Sequence, residues 1–173
     1  QILNVNRIIL HDEWNYRTTS FDADIACLVL EETVKFNSYI QPICLWQSFG
    51  EEEEPKEKFG IIVGYGKSED ETKLHETIPK MLKVMIPSNE KCFLDNKRLV
   101  SLSSERTLCA GATNRSGPCI GDSGSGLYIE TTIQGSKTFF LRGLVSSSLL
   151  DNNQCDVNTY SVYTNVFKFT PWI

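Results

Sequence analysis

The chain has 173 residues, of which 17 are Lys or Arg and 22 are Asp or Glu, so its formal net charge at neutral pH is −5. It has neither a basic excess nor a block of Lys and Arg, and therefore lacks the charge that attracts a nucleic acid. Charged residues interrupt every apolar stretch before the ~18 residues that a membrane-spanning helix needs. The sequence indicates one globular domain, or most of one, with neither a nucleic acid nor a membrane as partner.

Short runs of apolar and β-branched residues alternate with polar, turn-rich segments, which is typical of an all-β sandwich or barrel. In chain order, the predicted strands are 6–10, 25–30, 59–63, 81–86, 127–130, 139–146 and 161–166. Two segments are predicted to be helical, 89–94 and the C-terminal 166–173, whose aromatic residues can dock on a core. The charged stretches 51–54 and 68–73 are predicted to be solvated loops.

The sequence contains six cysteines, at positions 27, 44, 92, 109, 119 and 155. No two of them form a C-x-x-C pair, which argues against a zinc ribbon or a thioredoxin-like redox site. An even number spread through the chain is typical of disulfide-bonded secreted proteins, so we expect an extracellular protein, although the count leaves the pairing open. Residues 1–10 lack the features of a secretory signal, and we expect them to continue a longer gene product.

Residues 119–126, Cys-Ile-Gly-Asp-Ser-Gly-Ser-Gly, carry the strongest chemical signal. A serine hydroxyl is a weak nucleophile at neutral pH, so a catalytic serine needs a base to take its proton and backbone N–H groups to hold the oxyanion. Glycines on either side of Ser123 let the main chain approach a substrate carbonyl closely. A polar turn can carry the same Gly-Asp-Ser-Gly letters, however. The nucleophile elbow of α/β-hydrolases does not match, because Ser125 stands where G-x-S-x-G needs its second glycine.

Other short segments occur in a fixed order around this serine. They are 21–26 (F-D-A-D-I-A), 41–45 (Q-P-I-C-L), 63–66 (V-G-Y-G), 108–111 (L-C-A-G), 143–146 (G-L-V-S), 162–166 (V-Y-T-N-V) and 172–173 (W-I). Together with G-D-S-G, they resemble the landmarks of the chymotrypsin-like (trypsin-family) serine proteases over nearly the whole chain. The resemblance implies an all-β fold of two six-stranded antiparallel β-barrels with a C-terminal helix. The truncated first barrel would occupy about 1–45 and the second barrel with the helix about 56–173 of this sequence.

The resemblance implies a role for each matching residue of the site. Ser123 is expected to be the nucleophile, with the N–H groups of Gly121 and Ser123 as the oxyanion hole. Asp24 is expected to orient the general-base histidine and to stabilise its imidazolium form. Asp122 is expected to receive the new α-amino group created by activation cleavage, as a buried ion pair.

The general base is the part of this chemistry that the 173 residues lack. The family carries it in an A-A-H-C motif, whereas the two histidines of the chain, His11 and His75, lie in other contexts. Loss of one member of such a triad costs on the order of 10⁴ to 10⁶ in kcat. We therefore expect the histidine to precede Gln1 and these residues alone to be inactive.

The resemblance also assigns the cysteines. It implies two disulfides, Cys92–Cys109 and Cys119–Cys155. Cys44 resembles a cysteine that ties the protease to the region before it, so an upstream regulatory domain is an expected partner. For Cys27 we expect a buried free thiol, with a bond to Cys44 as the alternative. Asn114 begins an N-x-S sequon, which leaves a glycan and an unmodified loop equally open. No metal site and no cofactor are predicted.

The primary specificity pocket is expected to be lined by Gly117, Pro118, Ser146, Ser147, Ser148 and Ser161. Gly117 stands on its floor, where trypsin-like members have an aspartate that pairs with a substrate Lys or Arg. Ser147 and Ser148 replace the usual Trp-Gly, and Ser161 replaces a usual glycine. We expect a modestly narrowed slot that accepts small or medium uncharged side chains.

These expectations combine into a secreted serine endopeptidase, made as a zymogen, that cleaves protein substrates after uncharged residues through an acyl-enzyme on Ser123. Substitutions around the serine, together with Cys44, further resemble the modular proteases of invertebrate haemolymph cascades. The alternative is a protease homologue without activity that acts as a binding partner or cofactor in such a cascade.

Overall fold

The computed structural model describes residues 1–18, 20–46, 55–56, 58–66, 78–111, 117–152 and 154–173. The strands of this part of the chain are β1 (Val5–Leu10), β2 (Ala26–Leu30), β3 (Phe59–Gly64), β4 (Lys80–Met85), β5 (Thr107–Ala110), β6 (Gly126–Ile133), β7 (Ser136–Ser147), β8 (Leu150–Asp151), β9 (Gln154–Cys155) and β10 (Ser161–Asn165). Its helices are α1 (Asn89–Asp95) and α2 (Val166–Phe169), and Lys97–Leu102 forms a 3₁₀ segment. The prediction of a mostly β chain is confirmed.

A six-stranded antiparallel sheet forms the centre of the molecule, with the strand order β4-β3-β6-β7-β10-β5. A pair of hydrogen bonds joins its two outer strands. The N–H of Met85 donates to the carbonyl of Gly111 at 2.7 Å, and the N–H of Gly111 donates to the carbonyl of Met85 at 3.0 Å. The sheet therefore curls back on itself in the manner of a barrel.

The core lies inside this curled sheet. Its largest cluster consists of Ile62, Val84, Leu108, Ala110, Leu127, Val145 and Tyr163. All five residues of β10 are buried, because this strand lies between β7 and β5 and is covered on both faces. Burial of each large aliphatic side chain contributes about 1.5 to 3 kcal/mol. The loops that follow the strands of this sheet are therefore attached to a well-packed core.

Two disulfides reinforce the fold. Cys92–Cys109 joins α1 to β5, and Cys119–Cys155 joins the loop before β6 to β9. These are the pairs that the family resemblance implies, and each contributes about 2 to 4 kcal/mol. Cys27 and Cys44 are free thiols, so the alternative Cys27–Cys44 bond is absent. Cys27 is half-buried rather than fully buried, because it lies on β2, which pairs with β1 alone.

β1 and β2 form a separate two-stranded antiparallel ladder that precedes the large sheet. Several of its apolar side chains are exposed, among them Ile8, Leu10 and Leu28 at 57 to 61%. Of the two-barrel architecture implied by the family, the described residues thus contain one curled six-stranded sheet and this ladder. The complete first barrel stays a prediction.

The C-terminal helix and β5 are among the elements that differ from the sequence-based expectation, as are the short strands β8 and β9 and the 3₁₀ segment. The C-terminal helix ends at Phe169 instead of reaching residue 173, because Pro171 lacks the N–H needed to continue it. β5 was not predicted, since all four of its residues are buried and it lacks the alternation of a half-buried strand. No helix in the described part of the chain is both long and apolar enough to cross a membrane.

Candidate active site

Ser123 lies at the surface, in the loop between the Cys119–Cys155 disulfide and β6. It stands between Gly121 and Gly124, whose φ angles are 98° and 82°. Residues with a side chain rarely adopt this conformation, so the glycines fix the path of the loop. The result is an exposed Ser123, as a nucleophile that must meet a large substrate requires.

Backbone hydrogen bonds hold this serine loop against β7. The N–H of Gly124 donates to the carbonyl of Val145 at 2.8 Å, and the N–H of Val145 donates to the carbonyl of Ser125 at 2.9 Å. Within the loop, the N–H of Ser125 also donates to the carbonyl of Asp122 at 2.9 Å. Ser123 is thus attached to the curled sheet through the residues that follow it.

The carboxylate of Asp122 points back toward the segment after β3. It accepts hydrogen bonds from the N–H of Gly66 at 2.8 Å and from the N–H of Cys119 at 3.0 Å. A Cβ atom at Gly64 or Gly66 would lie 2.0 or 2.2 Å from a carboxylate oxygen of Asp122. The glycines of the V-G-Y-G segment therefore make room for this carboxylate, a function that sequence reasoning missed. Reception of an α-amino group by Asp122 stays a prediction.

Asp24 occupies the centre of a γ-turn, in which the N–H of Ile25 donates to the carbonyl of Ala23 at 2.8 Å. Ala23 has a φ of 53° and is 1% exposed. A residue with a side chain in this left-handed conformation costs about 1 kcal/mol or more. The turn can persist only because surrounding contacts hold it, and those contacts fix the direction of the Asp24 side chain.

Two hydroxyl groups of the large sheet bind Asp24 directly. Ser146 Oγ on β7 donates to Oδ2 of Asp24 at 2.6 Å, and Thr164 Oγ1 on β10 donates to its backbone carbonyl at 2.7 Å. Its contact with the carboxylate adds to the expected place of Ser146 in the pocket wall, which stays a prediction. Because Val145 anchors the serine loop and Ser146 anchors Asp24, adjacent residues of β7 attach both candidate catalytic groups to one end of the sheet.

Asp22, two residues before Asp24, forms a forked ion pair with Arg106. Its carboxylate accepts hydrogen bonds from Arg106 Nε at 3.0 Å, from Arg106 Nη2, and from Ser104 Oγ at 2.7 Å. The Arg106 hydrogen bond is the main cause that lowers the pKa of Asp22 below its ordinary value, with burial opposing it and Ser104 adding to it. Arg106 also binds the carboxylate of Glu13.

This ion pair makes stability depend on acid. Because folding lowers the pKa of Asp22, its contribution to the free energy of unfolding is complete above the ordinary pKa and is lost as the pH falls through the lowered value. Asp22→Asn is expected to lose less stability than wild type between about pH 5 and pH 2, as measured by urea unfolding. Glu13→Gln is the matched control, because the Glu13 side chain is 63% exposed, and it should follow wild type. If the free energy of unfolding changed with pH in the same way for wild type and Asp22→Asn, the ion pair would make no net contribution to stability.

Two of the serines that were expected to line the specificity pocket contact each other directly, while the pocket itself stays a prediction. Ser148 Oγ lies 2.9 Å from Ser161 Oγ and donates to the carbonyl of Pro118 at 3.0 Å. A hydroxyl has one proton, so Ser161 is the donor to Ser148. Ser148 follows β7 and Ser161 begins β10, and each adjoins one residue of the Ser147–Val162 pair, so their hydroxyls meet directly. Gly117 is half-buried and brings no carboxylate to this region.

Of the two histidines, the described residues include His11, which lies against the C-terminal segment. His11 packs against Phe169 and Trp172, with ring centroids 5.1 and 5.0 Å apart, and its Nδ1 accepts a hydrogen bond from the N–H of Glu13. His75, the sequon at Asn114 and the charged stretches 51–54 and 68–73 lie outside the described residues. Within the described ranges, no three His, Cys, Asp or Glu side chains gather as they would around a metal ion.

A family model described as Trypsin matches residues 1–173. The chain belongs to the trypsin family. Its trypsin-family relatives include Serine protease gd of Drosophila melanogaster, which is 34% identical over 200 residues, covering 98% of this chain and 37% of that protein. Phenoloxidase-activating factor 1 of Holotrichia diomphalia is 31% identical over 172 residues, covering 99% of this chain and 44% of that protein.

The Complement C1s subcomponent of Bos taurus is a further trypsin-family relative, 30% identical over 185 residues that cover 100% of this chain and 26% of that protein. This chain therefore spans less than half the length of all three relatives. Among solved structures, mouse brain neuropsin, described as a serine protease, superposes with a TM-score of 0.79 over 99% of this chain and 70% of its own. At 23% identity, this likeness shows the chymotrypsin-like fold alone.

Proposed function

We propose that the protein containing this chain is a secreted serine endopeptidase that acts on protein substrates through an acyl-enzyme on Ser123. The observation that carries the proposal is the attachment of two groups to adjacent residues of β7. Val145 holds the loop of the exposed Ser123, and Ser146 holds the carboxylate of Asp24. Membership of the trypsin family supports these two roles.

In the proposed reaction, Ser123 Oγ attacks the substrate carbonyl and gives its proton to a histidine outside these 173 residues. Ser146 binds Oδ2 of Asp24, and we assign Oδ1 as the acceptor for the imidazole N–H. The carboxylate then orients the ring and stabilises the imidazolium that forms. The N–H groups of Gly121 and Ser123 would hold the oxyanion. As the intermediate collapses, the peptide C–N bond would break, and the imidazolium would give its proton to the departing amine, leaving the acyl group on Ser123 Oγ. A water molecule deprotonated by the same histidine would later release that group as a carboxylic acid and restore the serine hydroxyl.

The enzyme is proposed to be made as a zymogen with further sequence before the protease domain. This chain matches less than half the length of relatives such as Complement C1s and Phenoloxidase-activating factor 1, which supports an upstream regulatory domain. The free thiol of Cys44 would attach that domain, and Asp122 would receive the α-amino group after activation cleavage. The name of Phenoloxidase-activating factor 1 states that it activates another protein, which supports a role in a proteolytic cascade.

The Ser148–Ser161 contact makes a prediction about substrates. Because the two hydroxyls meet at 2.9 Å and Gly117 supplies no charge, the activated enzyme should cleave after small uncharged residues such as Ala. Replacing both serines with glycine should raise kcat/KM for Leu or Phe at that position by roughly 10- to 100-fold relative to Ala. Cleavage of a set of peptides that differ at this one residue measures the ratio. Efficient cleavage after Arg by the wild-type enzyme would contradict this view of the pocket.

Peptide hydrolysis by the full-length, activated protein tests the proposal itself. A rapid burst of product equal to the enzyme concentration, followed by a slower steady rate, is the expected sign of an accumulating acyl-enzyme with an ester substrate. The alternative, a homologue that acts as a binding partner, predicts a folded protein with no turnover on any peptide of the set.

A further inference from the structure

The γ-turn at Asp24 follows a strained residue, so contacts with other parts of the protein must stabilise it. Ala23 is left-handed and fully buried, so the segment would relax to an ordinary conformation if it were released. Ser146 and Thr164 bind Asp24 itself. The residue on the other side of Ala23 is Asp22, and its side chain is bound by the second half of the chain.

The Asp22–Arg106 ion pair holds its two side chains in a fixed relative orientation. Two nitrogens of the guanidinium, Nε and Nη2, bind the two oxygens of the Asp22 carboxylate, and Ser104 Oγ binds one of them as well. Such a forked contact restricts both the distance and the orientation of the partners, unlike a contact with a single donor. Ser104 Oγ also accepts a hydrogen bond from the N–H of Arg106, which closes the network.

Arg106 also supports the apolar side of the same turn. Its guanidinium lies over the ring of Phe169 at 5.2 Å. Phe169 is 1% exposed and forms one core cluster with Ala23 and Ile25, the residues on either side of Asp24. Arg106 therefore contacts the carboxylate before the turn and the ring beneath it.

We propose that the Asp22–Arg106 pair is a positioning device for Asp24, which fixes the strained turn so that the carboxylate meets the imidazole at the correct angle. The inference rests on the proposed function of Asp24. Neither Asp22 nor Arg106 takes part in proton transfer, and both act through the geometry of Asp24.

The test uses the doubly substituted Asp22→Asn/Arg106→Gln protein, full-length and activated, because this change removes one charge of each sign. The rate at which a fluorophosphonate labels Ser123 is measured across pH. The plateau rate should fall about tenfold to a hundredfold, and the pH midpoint should fall, because a displaced Asp24 stabilises the imidazolium less. Glu13→Gln, which removes the other carboxylate on Arg106, is the matched control and should stay within about twofold of wild type.

His11, which packs on Phe169, is a further titratable group beside the turn, and Lys168 precedes Phe169 on α2. His11→Gln is measured in parallel, so that its titration is separated from that of the general base. If the double variant fails to fold, Arg106→Lys replaces it in the test. Lysine keeps the positive charge but cannot make the two-point contact with the Asp22 carboxylate. It should shift the midpoint in the same direction by a smaller amount.

The outcomes separate the two levels of the proposal. An unlabelled wild type with an otherwise folded protein contradicts the proposed function. If wild type is labelled, and the double variant has the same plateau labelling rate and the same pH midpoint as Glu13→Gln, the positioning role is wrong. The proposed function is unaffected by that result. A folded Arg106→Lys variant identical to wild type, combined with an unfolded double variant, also overturns it, because the pair would then serve stability alone.

Discussion

Replacing Ser123 with Ala in the full-length, activated protein is expected to lower kcat for peptide hydrolysis by about 10⁶-fold. The substitution removes the atom that forms the acyl-enzyme, and the oxyanion donors cannot replace it. The fold should be unaffected, because the Ser123 side chain is exposed and the left-handed glycines beside it are unchanged. Steady-state hydrolysis of a peptide with Ala before the cleaved bond measures the loss.

Ser125→Ala is the control for this substitution. Ser125 lies in the same loop, two residues after Ser123, and its main chain bonds to Asp122 and Val145 through groups that alanine retains. Its kcat should remain within a few-fold of wild type. If Ser125→Ala abolished hydrolysis and Ser123→Ala did not, the nucleophile would be assigned to the wrong serine.

The second large effect is expected for Asp24→Asn, with kcat lowered by about 10⁴-fold at neutral pH. Asparagine keeps the shape of the side chain but has one acceptor oxygen instead of two. Ser146 donates to Oδ2 at 2.6 Å, so the amide oxygen can serve Ser146 or the imidazole but not both. An imidazole that faces the amide nitrogen is held in the wrong tautomer and cannot act as base.

The pH profile of kcat distinguishes this mechanism from simple unfolding. Activity of Asp24→Asn should recover in part at high pH, where hydroxide can replace the missing base, while a misfolded protein would not recover. Ser146→Ala removes a donor but leaves both carboxylate oxygens, so a loss of about tenfold is expected. A neutral-pH kcat for Asp24→Asn within tenfold of wild type would remove Asp24 from the mechanism.

The strands and helices could be predicted from the sequence wherever apolar and polar residues alternate, or where a residue that begins or ends a helix is present. β3 and β7 follow their apolar runs closely, and α1 begins after Ser88, whose side chain accepts from the N–H of Lys91 as a helix cap. β5 has neither signal, because it is short and buried throughout. The predicted length of α2 is wrong, because Pro171 ends the helix although Trp172 continues the run of aromatic residues beyond it.

The candidate site was predictable only where residues adjoin in sequence. The expected roles of Ser123 and Asp24 come from Gly-Asp-Ser-Gly and from the segment around Asp24. Each of these motifs consists of consecutive residues, so it can be recognised in the sequence. The contacts that hold Asp24 are far apart in the chain, with Arg106 84 residues from Asp22 and Thr164 140 residues from Asp24. The same limit applies to the pocket, where a direct contact between Ser148 and Ser161 needs the register of two strands.

The residue to which a fluorophosphonate attaches in the full-length, activated protein identifies the nucleophile directly. Digestion and mass spectrometry should locate one adduct per molecule, on Ser123, and prior incubation with a good peptide substrate should slow its formation. An enzyme that hydrolyses peptides but carries the adduct on a different residue, or carries none, would show that Ser123 is not the nucleophile.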